Sequence, residues 1–114
     1  KDEDEWVRIR AAKALGKFHH AQVTKPLLVA TEDDSEWVRY NAIWALGQVK
    51  DGSAFDSIVK ALQDPSVNVR RGAAEALGKI DDPRAIDHLQ ALLKTEQDVS
   101  VSVAIDSALK NLNY

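Results

Sequence analysis

Asp64-Pro65-Ser66-Val67-Asn68-Val69-Arg70-Arg71-Gly72-Ala73-Ala74-Glu75-Ala76-Leu77-Gly78 is the stretch on which the fold turns. Its Val69-Arg70 pair is matched by Val38-Arg39 and Val7-Arg8 at a spacing of 31 residues. Each pair is followed by one frame: Ala73, Ala76, Leu77 and Gly78; Ala42, Ala45, Leu46 and Gly47; Ala11, Ala14, Leu15 and Gly16. Asp64, Asp33 and Asp2 stand five positions before the three valines. Residues 33–63 and 64–94 agree at 12 of 31 positions, which chance does not give, so the chain is a repeat array. A degenerate fourth copy begins near Thr95: after a one-residue insertion Val101, Ile105, Ala108, Leu109 and Leu112 fall in frame, while Ser102 replaces the arginine and Lys110 the glycine. The units run over 2–32, 33–63 and 64–94, with a partial unit at 95–114, in a single domain.

Within the second unit Val38, Ala42, Ala45, Leu46 and Val49 lie at 0, +4, +7, +8 and +11, one stripe of a 3.6-residue helix. The spacing predicts a first helix in every unit. Asp33-x-x-Glu36 and Asp2-x-x-Glu5 supply capping boxes for it, and Asp64-Pro65 a proline at the first helical position. The glycine at +9 suits the helix end, and Lys50-Asp51-Gly52-Ser53 or Asp81-Asp82-Pro83 forms the turn. A second helix of about ten residues follows, with Ala54, Phe55, Ile58, Val59 and Leu62 on its apolar face in one copy and Ala85, Ile86, Leu89, Leu92 and Leu93 in the next. In the first copy Leu27, Leu28 and Ala30 keep the frame, and Pro26 fits the first turn of a late-starting helix. Val99 to Val103 alternates like a strand, yet the repeat frame makes it helical, with Thr95-x-x-Asp98 as its capping box.

Composition narrows the function classes. Apolar residues are 45% and charged residues 29%, a globular balance. With 15 Lys and Arg against 18 Asp and Glu the net charge is -3, so the cationic footprint of a nucleic-acid binder is missing. No apolar run approaches the roughly 20 residues of a membrane span and no signal peptide is visible, so a soluble, cytoplasmic chain is expected. Absent cysteine removes disulfides, thiolate metal sites and a cysteine nucleophile. The opening Lys1-Asp2-Glu3-Asp4, without Met, is consistent with a piece of a longer protein.

The frame from Asp64 to Gly78, with Asp82-Pro83-Arg84-Ala85-Ile86 after it, resembles the HEAT-like repeat of the phycobilisome-lyase type. The resemblance covers essentially the whole chain, most fully in the second and third units. It implies an all-α fold, an α/α superhelix or right-handed solenoid of helical hairpins, with first helices on the convex side and second helices on the concave side. It also implies that Asp2, Asp33, Asp64, Arg8, Arg39 and Arg70 tie the turns of neighbouring repeats together. One hairpin cannot bury its own apolar face, so about three must stack. Recurring in each well-kept unit, the Asp and Val-Arg residues are read as structural, and the Ala-Leu-Gly glycines are not phosphate loops.

No catalytic constellation, metal site or cofactor is expected. His19, His20 and His88 do not recur in frame, and His19-His20 is read as a solvated turn. Deoxyhypusine hydroxylase, a HEAT-like enzyme, carries repeated His-Glu pairs for iron; here Ala74 precedes Glu75, so the resemblance stops short of that site. The expected function is a non-catalytic scaffold that binds another protein, with a phycobilin-lyase-like subunit or tetrapyrrole-binding accessory protein as the alternative the resemblance implies. Nucleic acid and membrane are not expected partners; self-association through open solenoid ends is.

Positions -1, +2 and +6 lie opposite the core stripe by the 100-degree step. They are Trp37, Tyr40 and Trp44 in the second unit, Trp6, Ile9 and Lys13 in the first, and Asn68, Arg71 and Glu75 in the third. Trp6 and Trp37, at equivalent positions, are expected to pack as a ridge along adjacent helices that closes the stack. Tyr40 and Trp44, with Trp37 beside them, are the candidate partner contact, because exposed Trp and Tyr mark binding hot spots. The rival surface is a mildly basic row on the second helices, Lys25, Lys60, Gln90 and Lys94. It reads first as solvation and, as a site, would suit an acidic peptide.

Overall fold

The computed structural model describes residues 2–17 and 21–112. His19 and His20 lie outside the described residues. Seven α-helices and no strands occur among the described residues: α1 Asp2–Leu15, α2 Thr24–Ala30, α3 Glu36–Val49, α4 Phe55–Ala61, α5 Val67–Ile80, α6 Ala85–Thr95 and α7 Val99–Asn111. Short 3-10 turns, Ala21–Val23 and Gly52–Ala54, lead into α2 and α4, which are therefore seven residues long and not ten. Pro26 sits in the first turn of α2, and Val99 to Val103 is helical as the repeat frame requires. The molecule measures 39 × 28 × 17 Å, and the 17 Å dimension is that of two helix layers.

The helix stripes bury as their spacing predicts. Val38, Ala42, Ala45 and Leu46, their equivalents Val69, Ala73, Ala76 and Leu77, and Val101, Ile105 and Ala108 are all buried. In the first copy Val7, Ala11 and Ala14 are exposed, Val7 at 64% against 1% for Val38. Among the described residues nothing packs on that side of α1.

The glycines at +9 do something the helix-end reading did not predict. Gly16, Gly47 and Gly78 are spacers: a Cβ on Gly47 would lie 3.0 Å from Ala76 Cα, one on Gly78 3.1 Å from Ala108 Cα, and one on Gly16 2.7 Å from Ala45 Cβ. Each glycine receives the alanine of the next first helix, so backbones approach closely. The ends of α3 and α5 are formed instead by Lys50 (φ 60°) and Asp81 (φ 61°) in the left-handed conformation.

This pairing sets the curvature. Along their lengths α1 packs on α3, α3 on α5 and α5 on α7, while each second helix lies on the first helix that follows it. Successive second helices do not pack closely on each other; long side chains such as Phe55, whose ring meets His88 at 6.2 Å, span the gap. A stack whose spacing is shorter in one layer bends towards that layer. The first helices therefore form the inner, concave side, the reverse of what the family resemblance implied.

The caps also differ from the sequence expectation. Ser35 and Ser66 cap α3 and α5, and Asp98 caps α7, while Thr95 ends α6 and Pro65 precedes α5 without entering it. Asp33 and Asp64 instead accept the backbone N–H of Ser35 and Ser66. They also receive the arginine of the preceding repeat: Arg8 on Asp33 at 2.7 and 3.1 Å, Arg39 on Asp64 at 2.9 and 3.0 Å. Arg70 meets Glu96, the in-frame equivalent after the insertion, at 2.9 and 3.1 Å. Arg39 and Arg70 each give Nη1 to two loop carbonyls as well, so the ladder locks turn to turn as the resemblance implied for Asp33, Asp64 and the three arginines; the side chain of Asp2 lies outside what the structure describes.

Candidate functional site

The inner surface of α3 carries Trp37 (46% exposed), Tyr40 and Trp44 (36% exposed). They share one face because -1, +2 and +6 fall within about 60° of each other on a helix. Trp37 meets the edge of Tyr40 at 6.5 Å and 80°. Tyr40 leans over the next helix, its ring where a Cβ on Gly72 would come within 3.0 Å, so the missing side chain at Gly72 makes room for the phenol. Arg71 lies over the same ring at 5.8 Å, and Lys79 lies 5.9 Å from the Trp44 ring while bonding Gln48 at 2.7 Å. The candidate contact residues Trp37, Tyr40 and Trp44 are thus brought together. Gly72, Arg71 and Lys79, which shape them, escaped the sequence reading, because their part depends on the neighbouring helix.

Trp6 and Trp37 do not form the expected ridge. Trp6 is 60% exposed, and the two indoles flank a cleft of about 410 Å³ lined also by Glu5, Ile9 and Asn41. Ile9, placed on the wet face by the helical wheel, is buried. At its position, +2, side chains lean towards the following helix, as Tyr40 shows.

Lys60 lies in the other layer. It pairs with Glu32 at 3.0 Å on the rim of a cleft of about 440 Å³ that also holds Asp33, Asp34, Arg39 and Asp64. Acids outnumber bases there, and Gln90 and Lys94 line a separate depression with Leu93. Lys60 and the pair Gln90 and Lys94 thus line different clefts in the layer of second helices. Among the described residues no three His, Cys, Asp or Glu side chains converge as a metal site, and no helix is long and apolar enough to cross a membrane.

Electrostatic shifts follow the ladder. The hydrogen bonds from Arg70 hold the Glu96 carboxyl below the usual range, and Asp33 and Asp64 raise Arg8 and Arg39. The backbone N–H of Ser53 and the Thr24 hydroxyl, 2.8 Å away, lower Asp51.

Two stacked layers of hairpins with interlocking Asp and Arg define a helical repeat protein. The sequence matches the HEAT repeats family over residues 1–56 and 24–110, and the chain belongs to that family. No curated protein matches it in sequence. Among solved structures it is similar to the complex of CpcE and CpcF of phycocyanin lyase from Nostoc sp. PCC7120 (27% identity, TM-score 0.82, 92% of this chain and 47% of that one). It is also similar to epoxyqueuosine reductase solved with a tRNA-Tyr stem loop (32%, 0.65, 69% and 21%). Human deoxyhypusine hydroxylase shares the fold (23%, 0.68, 99% and 47%). The chain thus spans between about a fifth and just under half of these proteins' lengths.

Proposed function

We propose that this HEAT-repeat chain is a non-catalytic scaffold that holds another protein on the inner face of its first helices, with Tyr40, Trp44 and Trp37 at the centre of the contact. The observation that carries this reading is the grouping of three exposed or half-exposed aromatic residues on one helix of the concave side. Aromatic anchors supply contact area at low entropic cost and dominate binding energy. Stacking does not need the two indoles, since the positions equivalent to Trp37 and Trp44 in the third unit are Asn68 and Glu75. In the double variant Tyr40→Ser, Trp44→Ser, proteins recovered with the wild-type chain and identified by mass spectrometry should be lost while helicity stays unchanged. Undiminished recovery would refute the reading.

The likeness to the phycocyanin lyase complex over 92% of the chain favours a second reading, a lyase-type subunit that contacts a tetrapyrrole. Mixing with an open-chain tetrapyrrole should then shift its visible absorbance. An unchanged spectrum removes this reading and leaves the scaffold intact.

A further inference from the structure

The seam between α3 and α5 and the seam between α1 and α3 are built from equivalent positions, yet one is filled and the other is open. In the first, Tyr40 reaches across Gly72 and Arg71 covers its ring. In the second, the residue equivalent to Tyr40 is the shorter Ile9, which forms part of the lining, and the residue equivalent to Gly72 is Asn41, which donates its Nδ2 to the Trp37 carbonyl at 2.8 Å. What remains is the cleft of about 410 Å³ between Trp6 and Trp37.

The lining has one polarity. Trp6 and Trp37 offer indole faces, Ile9 an alkyl surface, Asn41 a carbonyl oxygen, and Glu5 a carboxylate oriented by the hydroxyl of Ser35. No lining residue is cationic. Elsewhere the chain places its own cations on its aromatic rings: Arg71 on Tyr40, Lys79 on Trp44, and Arg84 on Phe55 at 4.2 Å. Among the described residues Trp6 and Trp37 receive none. Two indoles and a carboxylate are the complement of a flat, weakly hydrated cation on an alkyl stem. A guanidinium can stack on an indole while its fork bonds the carboxylate, which a compact ammonium cannot do in both respects.

We propose that the cleft between Trp6 and Trp37 is an anchor pocket for an arginine side chain of the partner protein. The proposal rests on the scaffold reading, because it assigns the chemistry of one residue of that partner. The two fail separately, since the test below needs no partner and leaves Tyr40 and Trp44 untouched.

The three indole N–H signals, one each from Trp6, Trp37 and Trp44, are assigned by the single substitutions Trp6→Phe and Trp37→Phe, Trp44 following by elimination, and are followed by NMR during titration of the unsubstituted chain with N-acetyl-arginine methylamide. Saturable shifts are expected at Trp6 and Trp37 and not at Trp44. The citrulline analogue, equal in shape and uncharged, should bind at least about tenfold more weakly, the lysine analogue more weakly than arginine, and Glu5→Gln should reduce arginine affinity several-fold. Equal binding of citrulline, equal or tighter binding of lysine, an equal response at Trp44, or no saturable shift up to ~50 mM would each overturn the proposal. Because Glu5→Gln could disturb the bond to Ser35, Trp37→Ala is the second variant; retained arginine affinity there overturns the proposal as well.

Discussion

Gly47→Ala tests whether the first-helix layer is closed by the glycine–alanine pairing. In an ordinary helix interior the exchange stabilises by about 1 kcal/mol, since Gly is the poorer helix former. Here the new methyl would stand 3.0 Å from both Cα and Cβ of Ala76, several tenths of an ångström inside normal contact, and its neighbour is largely backbone. Overpacking of this kind costs typically 1–3 kcal/mol. Taking ~2 kcal/mol against the ~1 kcal/mol gain leaves a net loss of about 1 kcal/mol, or roughly 4–8 °C in melting temperature for a domain near this size. Gly52→Ala is the control, because a Cβ there meets nothing within 4 Å. It should be neutral or stabilising by up to ~1 kcal/mol. Thermal unfolding followed by circular dichroism gives both numbers. Adding Ala76→Gly to Gly47→Ala removes one of the two clashing atoms, so the double-variant cycle should show a favourable coupling of about 1 kcal/mol. If Gly47→Ala raises the melting temperature as Gly52→Ala does, the layer is not closely packed at α3–α5, and the curvature argument falls with it.

Arg39→Lys keeps the charge but loses the fork that bonds Asp64 and the loop carbonyls together, and the pair is only 16% and 12% exposed. A loss of roughly 1.5–3 kcal/mol is expected by denaturant titration, and a loss below 0.5 kcal/mol would show the ladder to be ornamental. Lys50→Gly relieves a left-handed residue at the end of α3 and should stabilise by about 1 kcal/mol, read as a higher urea midpoint. Acid should unfold the chain progressively. Glu96, Asp98 and Asp51 all have lowered folded-state pKa values, so their stabilisation is present above the unfolded carboxylate range and is lost as pH falls below about 4.5. Replacing Glu96 by Gln should flatten that decline, which urea midpoints measured between neutral and acid pH would show.

The fold was legible because the repeat states it several times. Period, helix stripes, the late start of α2 and the helical state of Val99 to Val103 all follow from positions whose role is local or recurs in frame. Misreadings fell where a residue works for its neighbour. Asp33 and Thr95 resemble N-caps locally, but the carboxylate of Asp33 is engaged by Arg8, 25 positions away, and Thr95 bonds back to Leu92, so Ser35 and Asp98 cap instead. The +9 glycines look like helix stops until the alanine of the next helix is seen against them. Of the candidate site, the wet face of α3 could be read from periodicity. That this face is concave, that Lys60 belongs to another surface, and that Ile9 is buried beside a cleft all depend on spacing between helices, which no single helix encodes.

The same spacing says where functional information sits in such a chain. Positions at 0, +4, +7, +8 and +9 are committed to stacking, and so they recur. Positions -1 and +6 on the inner face touch little that holds the array together, so they vary without cost to the fold: Trp37 and Trp44 in one unit, Asn68 and Glu75 in the next, while +2 and +3 meet across the seam between first helices, as Tyr40 and Gly72 do. An indole at -1 or +6 carries no stacking duty, and each exposed one is a cost in water that burial against a partner would recover, at about 25 cal/mol per Å². The departures from the repeat, more than the repeat, are therefore where binding is written, and in this chain they concentrate on α1 and α3.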